Sequence, residues 1–337
     1  MRAVAYKTPQ PISAETSLID VELPMPEAKG HDLLVEIKAI SVNPVDVKVR
    51  AHSAPPADEL KVLGWDAAGI VKAVGAEVTL FRPGDEVFYS GVISRPGSNA
   101  EFHLVDERIV GAKPKSLDFA AAAALPLTSI TAYEALFDRL KVQDAVSGAA
   151  RSILIVGGAG GVGSIAIQIA RALTDLTVIA TASRPETQGW VKELGAHHVV
   201  DHSKPIAPQV AALGIGAPGF IFSTTNTDSH IGDIVEAIAP QGRFALIDDP
   251  KTLDIVPLKR KAISVHWELM FTRPLYGTPD MIEQHKLLNK VSELVDAGKI
   301  RTTLSEIVGP ISAANLKKAH AMVESGRMKG KAVLAGF

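Results

Sequence analysis

The chain has 337 residues, 47% hydrophobic and 21% charged, with a formal net charge of −2 and no cysteine. That length exceeds one hydrophobic core, so two domains are expected. The near-neutral balance gives no electrostatic case for nucleic acid or an anionic membrane surface, and the missing thiol excludes disulfides, thiolate catalysis and Cys-ligated metal centres. No apolar run reads as long enough to span a bilayer, and the opening MRAVAYKTPQ lacks an apolar signal-peptide region, so a cytoplasmic enzyme is expected.

Residues 1–125 read as β-rich. The runs 33–42 (LLVEIKAISV), 68–75 (AGIVKAVG), 85–91 (DEVFYSG) and 100–106 (AEFHLVD) are short and apolar or alternating, separated by turn signals such as Arg82-Pro83-Gly84-Asp85. No helical period lasts through this half, and a compact antiparallel, barrel-like domain is expected. The pattern changes near Phe119, where residues 119–140 read as helix in two pieces around Pro126. Strands at 153–156, 176–181, 197–201, 219–224, 243–248 and 262–267 then alternate with helices at 162–173, 186–194, 206–213 and 230–239. This alternation predicts an α/β domain with a doubly wound parallel sheet. Helices at 281–298 and 313–326 and a strand at 331–336 close the chain and are expected to return to the first domain. The division is therefore 1–125 with 272–337, and 126–271. The chain shows no repeats and no low-complexity tracts.

The most informative stretch is Ile153–Ser164, ILIVGGAGGVGS. A β-branched run stops at glycines and an amphipathic helix follows at once. Gly158, Gly160 and Gly163 fit G-x-G-x-x-G, with Gly161 and Val162 leading into the helix, whose first N–H groups form a site for a dinucleotide diphosphate. A tight turn without ligand is the plain alternative. A P-loop is excluded, because Gly163 is followed by Ser164 without an intervening Lys. The second strand should end near the adenosine ribose, where an acidic residue selects NAD and a basic one NADP. Here it ends without Asp or Glu, and Ser183 and Arg184 follow, which suits a 2′-phosphate and predicts NADPH. A solvated surface Arg is the alternative. His202, after the third strand, either flanks the adenine, touches the phosphate, or faces solvent.

The segments 41–50 (SVNPVDVKVR), 62–75 (VLGWDAAGIVKAVG), 82–91 (RPGDEVFYSG), 100–117 (AEFHLVDERIVGAKPKSL), 122–140 (AAALPLTSITAYEALFDRL), 155–171 (IVGGAGGVGSIAIQIAR) and 264–273 (SVHWELMFTR) resemble the medium-chain dehydrogenase/reductase superfamily. The resemblance is to its zinc-independent quinone oxidoreductase branch, and within that to bacterial "zinc-type alcohol dehydrogenase-like" proteins. It covers nearly the whole chain. It implies a GroES-like catalytic domain built from both chain ends around a Rossmann domain, with the active site in the cleft.

The positions matching the zinc ligands of zinc-using relatives are Asn43, Trp65 and Leu127, a set without a competent ligand trio, and Ser90–Asn99 lacks the ligands of a structural zinc loop. His197 and His198 are adjacent on a strand and do not converge easily, so no metal is expected. Without a Lewis acid, hydride delivery to a quinone or an α,β-unsaturated carbonyl is the easier chemistry, because these acceptors disperse the charge themselves. The resemblance implies the same NADPH-dependent reduction. Asn43 is then a candidate donor to a substrate oxygen or, alternatively, a turn residue before Pro44. Asp46 is an orienting acid, Trp65 an apolar wall or core, and Tyr89 a cleft residue or proton donor. Thr131, with Tyr133 and Thr128 nearby, matches the family helix that approaches the nicotinamide carboxamide, and main-chain contacts are expected at His266-Trp267-Glu268. Competing readings are a true alcohol dehydrogenase and an NADPH-binding protein with a structural or regulatory role. A homodimer through Rossmann edge strands is expected by the same resemblance, with the apolar strand AISVHW at the interface.

Overall fold

The structure is a computed structural model and describes all 337 residues. The chain divides into two compact units, Met1–Ile130 with Phe271–Phe337, and Thr131–Met270. The sequence reading put the first domain boundary at residue 126. The first turn of that helix stays with the first unit, where the Leu127 N–H donates to Asp66 Oδ1 at 2.7 Å.

The first unit opens with β1 (Arg2–Tyr6), β2 (Ile19–Glu22), β3 (Asp32–Ser41), α1 (Pro44–His52), β4 (Lys61–Val62), β5 (Asp66–Val74), β6 (Glu86–Ser90), β7 (Phe102–Asp106) and β8 (Val110–Ala112). Along most of β3, half-buried and buried residues alternate, the period of a sheet with one face on the core. The four expected strands correspond to β3, β5, β6 and β7. Two features depart from the sequence reading. The short strands β2-β1-β4 make a separate sheet. And this half does contain a helix, α1, capped by Asn43, started by Pro44, and locked by Asp46 Oδ2 accepting from the Asn43 N–H at 2.8 Å. It spans only 9 residues, too short for an apolar period to declare itself.

Next come α2 (Phe119–Ala123) and α3 (Pro126–Tyr133), the two pieces expected around Pro126. Asp118 caps α2 by accepting from the Ala121 N–H at 2.7 Å. Past Tyr133 the helix widens into a π-type turn, Glu134–Arg139, in which the Leu140 N–H reaches Ala135 O at 2.9 Å. The helical stretch Phe119–Arg139 is long and apolar enough to cross a membrane, which corrects the sequence reading. Its most apolar window is 83% buried within the fold, as in a core helix.

The second unit carries β9 (Ala150–Val156), α4 (Gly161–Leu173), β10 (Thr177–Thr181), α5 (Pro185–Glu193), β11 (His198–Val200), α6 (Ile206–Ala212), β12 (Pro218–Ser223), α7 (Thr227–Ala237), β13 (Arg243–Leu246) and β14 (Ser264–Trp267). The sheet order is β11-β10-β9-β12-β13-β14, parallel throughout. This is the doubly wound arrangement, with its switch point between β9 and β12, where ligands meet the carboxyl ends of the strands. Ile153–Val156 are continuously buried, as a strand covered on both faces requires, and Leu154, Ile179, Ile221 and Phe244 share one core cluster.

The chain then re-enters the first unit as α8 (Thr272–Tyr276), α9 (Glu283–Asp296), β15 (Leu304–Gly309), α10 (Ala313–Glu324) and β16 (Lys331–Ala335). β16 pairs antiparallel with β3, and β15 parallel with β16. The main sheet thus runs β15-β16-β3-β5-β6-β8 with β7 also on β3, an open path with one parallel pair where sequence suggested an antiparallel barrel.

Candidate cofactor site and buried polar cluster

At the end of β9 the chain enters the glycine turn. Gly157 has φ +80°, and a Cβ on it would lie 2.4 Å from Thr224 Oγ1. A Cβ on Gly158 would meet Ala180 Cβ at 2.8 Å, and one on Gly163 would meet Gly157 O at 2.3 Å. These three glycines are demanded by the fold itself. Gly160 is different. It caps α4 with φ −68° and ψ 176°, open to any residue, and its Cβ would meet only Gly157 O at an ordinary 3.5 Å. Nothing inside the protein requires glycine there. Gly161 and Val162 form the first turn of α4, where N–H groups lack intrahelical acceptors and the helix dipole is positive. The turn fits a dinucleotide diphosphate approaching Gly160.

Ser183 and Arg184 follow β10 and are half-buried, with no carboxylate at the strand end. Arg184 Nε lies 3.4 Å from Glu186 of α5, an exposed pair that a bound anion can replace. The Thr181 hydroxyl accepts from the Gly157 N–H at 2.9 Å and sits 2.9 Å from His202 Nδ1, so one side chain joins the glycine turn to the end of β11. The His202 ring lies 6.2 Å, centroid to centroid, from that of His230 on α7. Burial, then the charges of His230 and Arg184, push the His202 pKa down, with Asp201 acting against them. His202 thus lies near His230 and within electrostatic reach of Arg184. His230 is absent from the sequence reading, since nothing in NTDSHIGD marks it and only the packing of α6 against α7 brings it beside His202.

In the first unit, the three positions aligned with zinc ligands do come together, on the carboxylate of Asp66. Asn43 Nδ2 donates to Asp66 Oδ2 at 2.7 Å, the Leu127 N–H donates to Oδ1 at 2.7 Å, and Trp65 is its chain neighbour. The Lys331 ammonium lies in the same cluster, bonded to Asp66 Oδ2 (3.1 Å), Val42 O (3.0 Å) and Asn43 Oδ1. Burial lowers the Lys331 pKa, and Asp66 and Asp46 oppose that. Asp46 accepts from the Asn43 and Gly64 N–H groups, and burial pushes its pKa up to about 7. Asp66 and Lys331 escaped the sequence reading because they lie far apart in the chain and carry no local motif.

The proposed contact roles meet a physical obstacle. Asn43, Trp65 and Tyr89 are 0% exposed and Asp46 is 1% exposed. A side chain with no accessible surface cannot touch a ligand unless its surroundings open. Trp65 packs edge-on against Phe271 at 6.1 Å and donates its Nε1–H to Val92 O at 3.0 Å, as a core residue. Tyr89 pairs with His103 Nδ1 at 2.9 Å, lines no opening, and is held by burial well above the usual phenol pKa, which argues against a proton donor.

Thr131 lies on α3, 5% exposed, and the Thr128 hydroxyl donates to Leu125 O at 3.1 Å, the local helix bond expected of a buried hydroxyl. Tyr133 packs on Phe137 at 4.6 Å. His266, in β14, is half-buried, with Nε2 3.1 Å from Ser264 Oγ. Burial, then Arg243, Arg139 and Lys141, hold it below the usual imidazole pKa. His197 Nδ1 accepts from the Val178 N–H at 2.8 Å, a structural use. No three His, Cys, Asp or Glu side chains converge in a metal-binding group, so the donor set does not fit a zinc ion.

Residues 29–115 match the alcohol dehydrogenase GroES-like domain, and residues 194–334 match the zinc-binding dehydrogenase family. The chain is 40% identical over 336 residues to a zinc-type alcohol dehydrogenase-like protein of Staphylococcus aureus (strain MSSA476), covering 99% of each. It is 32% identical over 240 residues to a quinone oxidoreductase of Lama guanicoe, covering 71% of this chain and 70% of that one. A crystal structure of a protein named as a zinc-dependent alcohol dehydrogenase from Rhizobium etli CFN 42 superimposes with a TM-score of 0.99 at 69% identity, covering 100% of this chain and 98% of that one. The zinc in these names meets no ligand set in this chain. With a GroES-like domain, a doubly wound sheet and full-length relatives, the chain belongs to the medium-chain dehydrogenase/reductase superfamily of oxidoreductases.

Proposed function

We propose that the chain is an NADPH-dependent, zinc-independent reductase of quinones or α,β-unsaturated carbonyl compounds. The observation that carries this reading is Gly160, a glycine the fold does not need, at the start of α4, with Arg184 and His202 grouped beyond β10. When bound, NADPH supplies the hydride. The N–H groups of Gly161, Val162 and Gly163 hold the diphosphate. Ser183 and Arg184 hold the 2′-phosphate, with His202 and His230 flanking it. Thr131 and His266 serve the nicotinamide half. Asn43, Asp46, Trp65 and Tyr89, enclosed as they are, shape the acceptor side by fixing the backbone around α1 and β5–β6.

The Asp66 cluster favours zinc independence. Its cation is an ammonium, and of the three matched positions Trp65 and Leu127 offer no donor. Quinones and enones suit such a site because they carry the developing charge themselves. The reading includes a homodimer, since β14 is a sheet edge and Trp267 and Leu269 beside it are 54% and 51% exposed. It also includes a cytoplasmic setting, where NADPH is regenerated. Light scattering at several concentrations tests the dimer, and a monomer throughout removes it.

The functional test is consumption of NADPH and of NADH with a panel of quinones and 2-alkenals. The expected result is turnover with NADPH, weakened in Arg184→Ala. Tight NADPH binding without turnover on either panel points instead to a binding protein. A second reading, an alcohol dehydrogenase, is favoured only by the names of relatives, and stoichiometric zinc in the purified protein supports it.

A further inference from the structure

In a doubly wound sheet the two halves flanking the switch point each take one mononucleotide. With the diphosphate turn at β9 and Ser183 and Arg184 beyond β10, a bound dinucleotide would place its nicotinamide half over the other half of the sheet, β12-β13-β14. Glu268 stands at the carboxyl end of β14, its N–H donating to Leu246 O of β13 at 3.0 Å. Its side chain is buried. Oε2 accepts from Arg139 Nε at 2.8 Å, while Oε1 meets no N–H or hydroxyl donor. The carboxyl of Glu134, 1% exposed and first in the π-type turn, is in hydrogen-bond contact with it. Two carboxyl groups share a hydrogen bond only if one is protonated. Burial first, then the Glu134 charge, pushes Glu268 up to about 9, with Arg139 opposing. Arg139 and Glu134 come from the π-type turn, and Arg243 of β13 closes that turn by donating to Leu140 O at 2.9 Å and Lys141 O at 2.8 Å.

We propose that Glu268, clasped by Glu134 and Arg139, is a positioning residue for the nicotinamide half of the cofactor, fixing the chain where it leaves β14. This rests on the NADPH reading above. The clasp joins β14 to the π-type turn through two buried carboxyl groups and a guanidinium that is one-third exposed. Its neutral pairing is lost when Glu268 ionises, because two carboxylates then face one guanidinium.

The test compares NADPH with adenosine 2′,5′-bisphosphate, which lacks the nicotinamide half, by calorimetric titration. Glu268→Ala is expected to weaken NADPH about tenfold and leave the bisphosphate unchanged. Glu268→Gln, the shape of the protonated acid, keeps both affinities at pH 7.5. From pH 7.5 to 10 the wild type loses NADPH affinity, while E268Q holds it. Wild-type NADPH affinity in Glu268→Ala, equal losses on both ligands, or the same pH profile in E268Q overturns the inference alone. A wild type that binds neither ligand overturns the cofactor reading and this inference with it.

Discussion

The glycine turn of the second unit and the Asp66 cluster of the first treat their polar groups in opposite ways. Asp66, Asn43, Asp46 and Lys331 satisfy one another in a closed, buried set. At Gly160 the protein leaves room it does not use, beside the N–H groups of a helix start. A closed polar set specifies structure, whereas an open one implies a ligand. The contrast separates residues that hold the fold from residues that hold the cofactor, even where both sit on family motifs.

The largest expected effect breaks the closed set. Lys331→Met leaves Asp66 buried without its cation and should cost about 3–5 kcal/mol of stability, read by urea unfolding. Adding Asp66→Asn to it should recover part of that loss. A single variant as stable as wild type means the cluster is not a staple.

The next effect is on the open side. Arg184→Ala should lose about 1.5–3 kcal/mol of NADPH affinity and leave NADH affinity and stability unchanged. Equal losses on both cofactors would show that Arg184 does not read the 2′-phosphate.

Opposite in sign to ordinary mutagenesis is the effect of Glu268→Gln on stability. The folded pKa of Glu268 is raised from 4.5 to about 9, so unfolding releases a proton throughout that window. Its contribution is complete below pH about 4.5 and is lost as pH rises toward about 9. The Gln variant carries no such loss, so its Tm should exceed that of wild type at pH 8 and fall less between pH 6 and 9. A Gln variant with a lower Tm at pH 8 contradicts the protonated pair.

What was legible in sequence follows the same division. The doubly wound sheet declared itself because strands such as Ile153–Val156 are continuous apolar runs and strand and helix patterns alternate along the chain. The glycine turn was legible because its constraints are local. Helix α1 was not read as a helix, although Asn43-Pro44 and Asp46 spell a helix start, because 9 residues carry too little periodicity. The sheet β2-β1-β4 and the pairs Asp66–Lys331 and Glu134–Glu268 depend on partners far apart in the chain. For Trp65 the sequence left a wall or core packing open, and for Tyr89 a cleft residue or a donor; burial favours a core indole and a phenol tied to His103.

Nothing in the fold demands glycine at position 160, and we assign that glycine to the ligand. The direct measurement is NADPH affinity alongside Tm in Gly160→Ala. A methyl there meets the protein only at 3.5 Å. The expected result is a wild-type Tm with NADPH binding weakened about tenfold or more. Unchanged NADPH affinity, or a loss explained by a fallen Tm, would contradict it.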